Sequence, residues 1–299
     1  SESGTVTLTL TTSGGACGTT TATKNITVNS RPTVTFTAQP GASACANTDV
    51  TYTTQSGQSN YVWTVPGVLN TDYSITSGGI GSSSNTVTLR WLTTGSKTVS
   101  VNYTNASGCS AASATSSTAT TVNARPTVTF TAQAGASACT NTNVTYTTQS
   151  GQSNYVWGVP GVLNTDYTII SGGIGTSSNT VTLRWLTTGS KTVTINYNNA
   201  SGCSALSATS STATNVTGPT ATAGAALTAI CSGGTSAAMG GSVGGTATGG
   251  TWSGGTGTWT NATNPSTATY TAGASESGTV TLTLTTSGGA CGTTTATKN

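Results

Sequence analysis

Apolar and hydroxyl-bearing residues alternate along much of the chain, as in Val6-Thr7-Leu8-Thr9-Leu10, Val34-Thr35-Phe36, Val50-Thr51-Tyr52, Val87-Thr88-Leu89 and Val99-Ser100-Val101. A period of two puts successive side chains on opposite faces of a strand, one toward a core and one toward water. Val, Ile, Tyr, Trp and Thr are also the residues that a pleated surface favours. Gly, Asn, Ser and Pro interrupt these runs roughly every eight to twelve residues, and nothing of similar length has a 3.6-residue period. The expected fold class is therefore all-β.

Internal repetition sets the domain organisation. Residues 30–123 and 124–217 align without a gap at an offset of 94, from Arg-Pro-Thr-Val-Thr-Phe at Arg31 and Arg125 to Asn-Ala-Ser-Gly-Cys-Ser around Cys109 and Cys203. Each copy holds about seven candidate strands, starting near Thr33, Val50, Tyr61, Tyr73, Thr86, Thr98 and Ala112 in the first, a number and spacing that predict a tandem array of immunoglobulin-like β-sandwiches. Trp63, Trp91, Trp157 and Trp185 are expected core anchors, whereas Trp252 and Trp259 stand among glycines that offer them little cover. Residues 218–299 form a divergent Gly/Thr-rich unit, and its last 25 residues repeat Ser1–Asn25 letter for letter. Residues 1–29 accordingly read as the back half of a third-type unit. A preceding repeat would complete them, or they would complete an open unit on a neighbouring molecule by strand addition.

Composition narrows the chemistry. Only 4% of the 299 residues are charged, against roughly 25% in ordinary domains, and histidine is absent. The five acids, Glu2, Asp49, Asp72, Asp166 and Glu276, leave little for general acid/base catalysis or metal binding, so no enzyme activity, cofactor or metal is expected. Arg90, Lys97 and Asp72 recur as Arg184, Lys191 and Asp166, as scaffold residues do when a scaffold is duplicated. Eight dispersed Lys and Arg give a net charge of +3, too sparse for a phosphate-neutralising surface, so nucleic acid is not an expected partner. No apolar run approaches the roughly 20 residues of a membrane span. The Gly233–Gly250 stretch lacks the Gly-Lys-Ser/Thr element of a phosphate loop, and tight turns with close sheet packing account for it better.

Seven cysteines follow the repeats. Cys45 and Cys109 are 64 apart, Cys139 and Cys203 are 64 apart, and Cys231 and Cys291 are 60 apart, which leaves Cys17 to find a partner outside the segment. Without His or Cys-x-x-Cys pairs, disulfides are expected in preference to zinc, and with them an oxidising, extracellular compartment. Equal spacing favours bonds within each unit. A seven-strand sandwich, however, would put the two cysteines of a unit at opposite ends, which favours Cys45–Cys203 and Cys139–Cys291 between adjacent units.

The run of a Cys, Val-Thr-Tyr-Thr-Thr, Asn-Tyr-Val-Trp-Thr-Val-Pro-Gly, Val-Thr-Leu-Arg-Trp, Gly-Ser-Lys-Thr-Val-Ser-Val-Asn-Tyr-Thr-Asn and a final Gly-Cys resembles PKD-like immunoglobulin-type modules. Those recur in very large surface proteins of Bacteroidota-type bacteria, including gliding-motility adhesins and type 9 secretion substrates. The third unit, with Thr-Trp-Ser-Gly-Gly-Thr-Gly-Thr-Trp, is similar to a Gly/Thr-rich module that accompanies them. The resemblance implies a bacterial cell-surface location and a structural filament or stalk, whose partners are further copies of the same protein. Two other functions are open: adhesion to surface glycans through exposed Tyr, Trp and Asn, and ice binding by hydroxyl ladders such as Thr7, Thr9 and Thr11.

Overall fold

The computed structural model describes residues 3–81, 83–175 and 177–299, and among them there is no helix. By internal contacts the chain falls into two compact units, Ser1–Arg125 with Ser201–Cys203, and Pro126–Ala200 with Ser204–Asn299.

The first unit opens with a hairpin, β1 (Gly4–Thr11) antiparallel to β2 (Thr21–Val28). Ten strands follow: β3 (Phe36–Ala38), β4 (Ser43–Cys45), β5 (Asp49–Thr54), β6 (Ser59–Thr64), β7 (Tyr73–Gly78), β8 (Thr86–Trp91), β9 (Gly95–Lys97), β10 (Ser100–Thr104), β11 (Thr115–Ser116) and β12 (Thr120–Asn123). One sheet has the order β3-β5-β8-β7, and facing it stand β6-β10-β11 and β4-β12-β9. The first strand thus switches sheets, pairing antiparallel with β5 as β3 and parallel with β12 as β4. This strand order, with its sheet-switching first strand, is that of an immunoglobulin-like sandwich. The single strands expected near Thr33 and Ala112 are each split in two, because each divides its pairing between neighbours.

The alternation read from the sequence becomes the core. Val50, Tyr52, Val87, Leu89, Trp91, Val99, Val101 and Tyr103 point inward and pack with Tyr61, Trp63 and Tyr73. Phe36 meets Trp63 edge-on with ring centroids 6.0 Å apart, and the Trp63 indole donates to Ser84 O at 2.8 Å. Burial raises the pKa of the Tyr52 phenol.

In the second unit the 94-residue copy repeats this sandwich around Tyr146, Trp157, Val181, Leu183, Trp185 and Ile195. The third core gathers Met239, Trp252, Ala268, Tyr270, Leu282 and Leu284. Strand Gly249–Ser253 pairs there with Leu282–Ser287, which pairs in turn with Thr295–Lys298. Trp252 is fully covered: it stacks on Trp259 at 6.0 Å and donates to Pro265 O at 2.9 Å. The glycines are part of that cover, since a Cβ on Gly241 would stand 2.8 Å from the Trp252 ring.

Candidate functional site

The chemistry of this chain lies in its cysteines and in the turns that hold them. Cys45 ends β4, opposite Asn123 of β12. The next residues turn sharply: Thr48 N donates to Cys45 O at 3.2 Å, Ala46 N to Asn123 O at 2.9 Å and Asn47 N to Trp91 O at 2.8 Å. Asn47 takes a left-handed φ of 59°, which asparagine tolerates better than most residues. Arg125 donates from Nε to Ala46 O at 2.6 Å. The second copy builds the same turn after Cys139, with Thr142 N on Cys139 O at 3.3 Å and Asn141 at φ 59°.

The second cysteine of each copy sits in a tight hairpin loop. In the first, the Asn105 side-chain oxygen accepts from Ser107 N at 3.1 Å and Cys109 N at 2.9 Å, while Asn105 N donates to Cys109 O at 2.9 Å. This is the local side-chain capping at which asparagine is effective. Cys203 lies in the second copy's identical Asn-Ala-Ser-Gly-Cys sequence.

Two disulfides form, Cys45–Cys203 with a Cα separation of 5.7 Å and Cys139–Cys291 with 5.1 Å. Cys17, Cys109 and Cys231 carry free thiols. The bonds within a unit that the equal spacing favours, Cys45–Cys109, Cys139–Cys203 and Cys231–Cys291, are not made. The sandwich topology explains this correction, because β4 leaves its cysteine beside the last strand, β12, whereas Cys109 lies in the loop between β10 and β11. The first cysteine of one sequence repeat is thus bonded to the second cysteine of the next. Around Cys139–Cys291, Thr217 Oγ1 contacts Cys291 Sγ at 3.6 Å, and a cleft of about 450 Å³ is lined by Thr140, Leu186, Pro219 and Thr293.

The recurring charged residues serve the scaffold. Asp72 Oδ2 accepts from Val68 N at 2.8 Å and closes the turn at Gly67, where φ is 93° and a Cβ would lie 2.6 Å from the Asp72 side chain. Asp166 repeats that contact with Val162 N, which lowers its pKa. Lys97 and Lys191 lie over Trp91 and Trp185 at 5.4 Å. Arg90 pairs with Asp49 at 2.7 Å, a link that the second copy keeps as Arg184 to Asn143 at 3.1 Å. Among the described residues no group of three His, Cys, Asp or Glu is placed to hold a metal. Trp63, Trp91, Trp157, Trp185 and Trp252 are all buried.

No protein-family model and no curated protein matches this sequence. Among solved structures, the chain is similar to the D00-D0 domain of intimin (14% identity over 61% of this chain and 98% of that one, TM-score 0.29). It is also similar to the I9-I11 tandem of titin (12%, 89% and 98%, TM-score 0.30) and to domains 4 and 5 of the S-layer protein SbsC (18%, 61% and 96%, TM-score 0.24). The global overlaps are low, and the sandwich assignment rests on the strand order.

Proposed function

We propose that the chain is a structural repeat segment of an extracellular filament or stalk on a bacterial surface, part of a very large adhesin of the PKD-like kind, with units 1–29, 30–123, 124–217 and 218–299 as its modules. The observation that carries this reading is the serial pairing Cys45–Cys203 and Cys139–Cys291. Such bonds close loops that overlap along the chain, so drawing one repeat away from the next requires breaking a covalent bond. A segment under tension gains from that arrangement, because force along the chain is carried by the covalent cross-links. Two formed disulfides fit an oxidising compartment outside the cell. The near absence of charge fits a part whose partners are further copies of itself.

The glycan-binding reading is less well supported, because five of the six tryptophans are buried in the cores and only Trp259 is partly exposed. Electron microscopy of the native material is the test. Fibres with a regular spacing corresponding to one 274-residue period support the proposal. Dispersed globular particles that bind a glycan array would replace it with the adhesive reading.

A further inference from the structure

The two disulfides are alike in sequence position, yet their surroundings differ. Each lies inside one compact unit, Cys45–Cys203 in the first and Cys139–Cys291 in the second. Cys203 is 1% exposed, which leaves Cys45 as the residue through which that bond is open to attack. There Arg125 lies across the following turn, donating from Nε to Ala46 O at 2.6 Å. At the 94-residue offset Ala124-Arg125 becomes Gly218-Pro219, so this cover is lost in the second copy. A cleft of about 450 Å³ stands in its place, lined by Gly218, Pro219, Thr140, Thr188, Thr293 and Cys291 itself. Cys139 and Cys291 are both half-buried.

Cys291 also sits on an adaptable turn. Its hairpin is closed at the base, where Thr286 N donates to Thr294 O at 2.9 Å and Thr294 N to Thr286 Oγ1 at 2.7 Å. The tip reads Ser287-Gly288-Gly289-Ala290-Cys291-Gly292, with Gly288 and Gly292 at φ 75° and 76°. Glycine-rich backbone of this kind has the freedom to swing a side chain once its tether is cut.

We propose that the cleft is a thiol-exchange site: a low-molecular-weight thiol of the glutathione class enters it and opens Cys139–Cys291, while Cys45–Cys203 stays closed. The inference deepens the structural-repeat reading and rests on it, giving the segment one permanent stitch and one releasable stitch. A cleft of this volume suits a tripeptide-sized ligand and is too small for a protein domain. Its lining residues are uncharged, and their hydroxyl groups offer hydrogen bonds to a peptide backbone. Accessible disulfides are the labile ones, because exchange requires a thiolate to reach a sulfur.

The incoming thiolate attacks Cys291 Sγ. A new S–S bond joins the ligand to Cys291, the old one breaks, and Cys139 leaves as a thiolate that takes a proton from water. A second thiolate then attacks the ligand's sulfur, releasing Cys291 and the disulfide of the small thiol. The protein bond gains two electrons and two protons, and two small thiols lose them. With Cys139–Cys291 open, the shortest covalent path runs straight on from Cys203 and lengthens by roughly 80 Å, at about 3.5 Å per residue, while the first unit remains stitched.

The test caps the free thiols Cys17, Cys109 and Cys231 of the full chain with N-ethylmaleimide, adds excess reduced glutathione, and quenches samples over time with iodoacetamide for peptide mass spectrometry. Cys139 and Cys291 should become alkylated roughly tenfold faster than Cys45 and Cys203, with a glutathione adduct on Cys291 appearing first. Thr293→Trp, at an exposed position in the cleft, should slow the opening of Cys139–Cys291 roughly tenfold and leave Cys45–Cys203 unaffected. Arg125→Ala should instead speed the opening of Cys45–Cys203. The proposal is overturned if the two bonds open at equal rates, if Cys45–Cys203 opens first, or if either substitution leaves its own bond's rate unchanged. Opening of Cys139–Cys291 that accelerates with urea in step with global unfolding would overturn it as well. Regular fibres whose two disulfides open at equal rates would sink this inference alone and leave the structural-repeat reading standing.

Discussion

Residues 3–25 and 277–299 are one sequence in two settings. Locally they agree: Thr12 N bonds Thr20 O at 2.9 Å and Thr286 N bonds Thr294 O at 2.9 Å, so the turn and the strand register follow from the sequence itself. Burial does not agree. Leu8 and Leu10 are 49% and 71% exposed, whereas Leu282 and Leu284 are 4% and 0%. Lys24 is exposed, while Lys298 is inside, donating to Ala225 O and Met239 O and lying 5.7 Å from the Trp252 ring. Desolvation lowers the Lys298 pKa. Cys17 is a free thiol and Cys291 is bonded. The contrast separates a hairpin, which the sequence specifies alone, from a module, which exists only where Gly249–Ser253 and its neighbours cover that hairpin.

Paired substitutions at equivalent positions can break or sharpen this contrast. The largest effect is expected at the cysteines. The bond across 152 residues should contribute about 4–5 kcal/mol by restricting the unfolded chain, so Cys291→Ala should lower the urea midpoint of the second unit by a corresponding amount while Cys17→Ala leaves stability unchanged. Next come the leucines. Leu284→Ala should cost about 2–5 kcal/mol as a core truncation, and Leu10→Ala should stay within about 0.5 kcal/mol, both read by thermal unfolding. Lys298→Ala leaves the buried Met239 carbonyl without its lysine donor and should cost about 1–3 kcal/mol, with no change for Lys24→Ala.

The smallest effect is at the acid limb. Glu276 is held down to about 2 by donors from the Tyr270 hydroxyl at 2.5 Å, Thr256 N at 2.8 Å and Gly273 N at 3.0 Å. Its folded pKa lies below the ordinary carboxylate value, so its stabilising share is complete above about pH 4.5 and is lost as the pH falls toward about 2. Glu276→Gln should flatten that part of the pH–stability profile. An unchanged slope would show that the carboxylate does not anchor this end of the third core.

Most of the fold was legible because a period of two dictates which side chains share a face, and because Trp63 and Trp157 fall on the inward phase of their strands. The burial of Trp252 was not, since its cover comes from close backbone approach at glycines such as Gly241, which have no side chains to signal it. Cysteine pairing was legible only as two alternatives. Equal spacing is a one-dimensional signal, while the sheet switch between β3 and β4, which decides the partner, is a property of strand pairing across some eighty residues. The two fates of the 25-residue repeat could not be read from its letters at all, because the letters are the same.

Serial disulfide stitching between successive sequence repeats is the central claim, and stretching single molecules from end to end tests it most directly. With Cys45–Cys203 and Cys139–Cys291 intact, the shortest covalent path through the chain should limit full extension to roughly 400 Å, against roughly 1,000 Å after reduction, at about 3.5 Å per residue. An oxidised chain that extends to the same length as the reduced one would contradict the account.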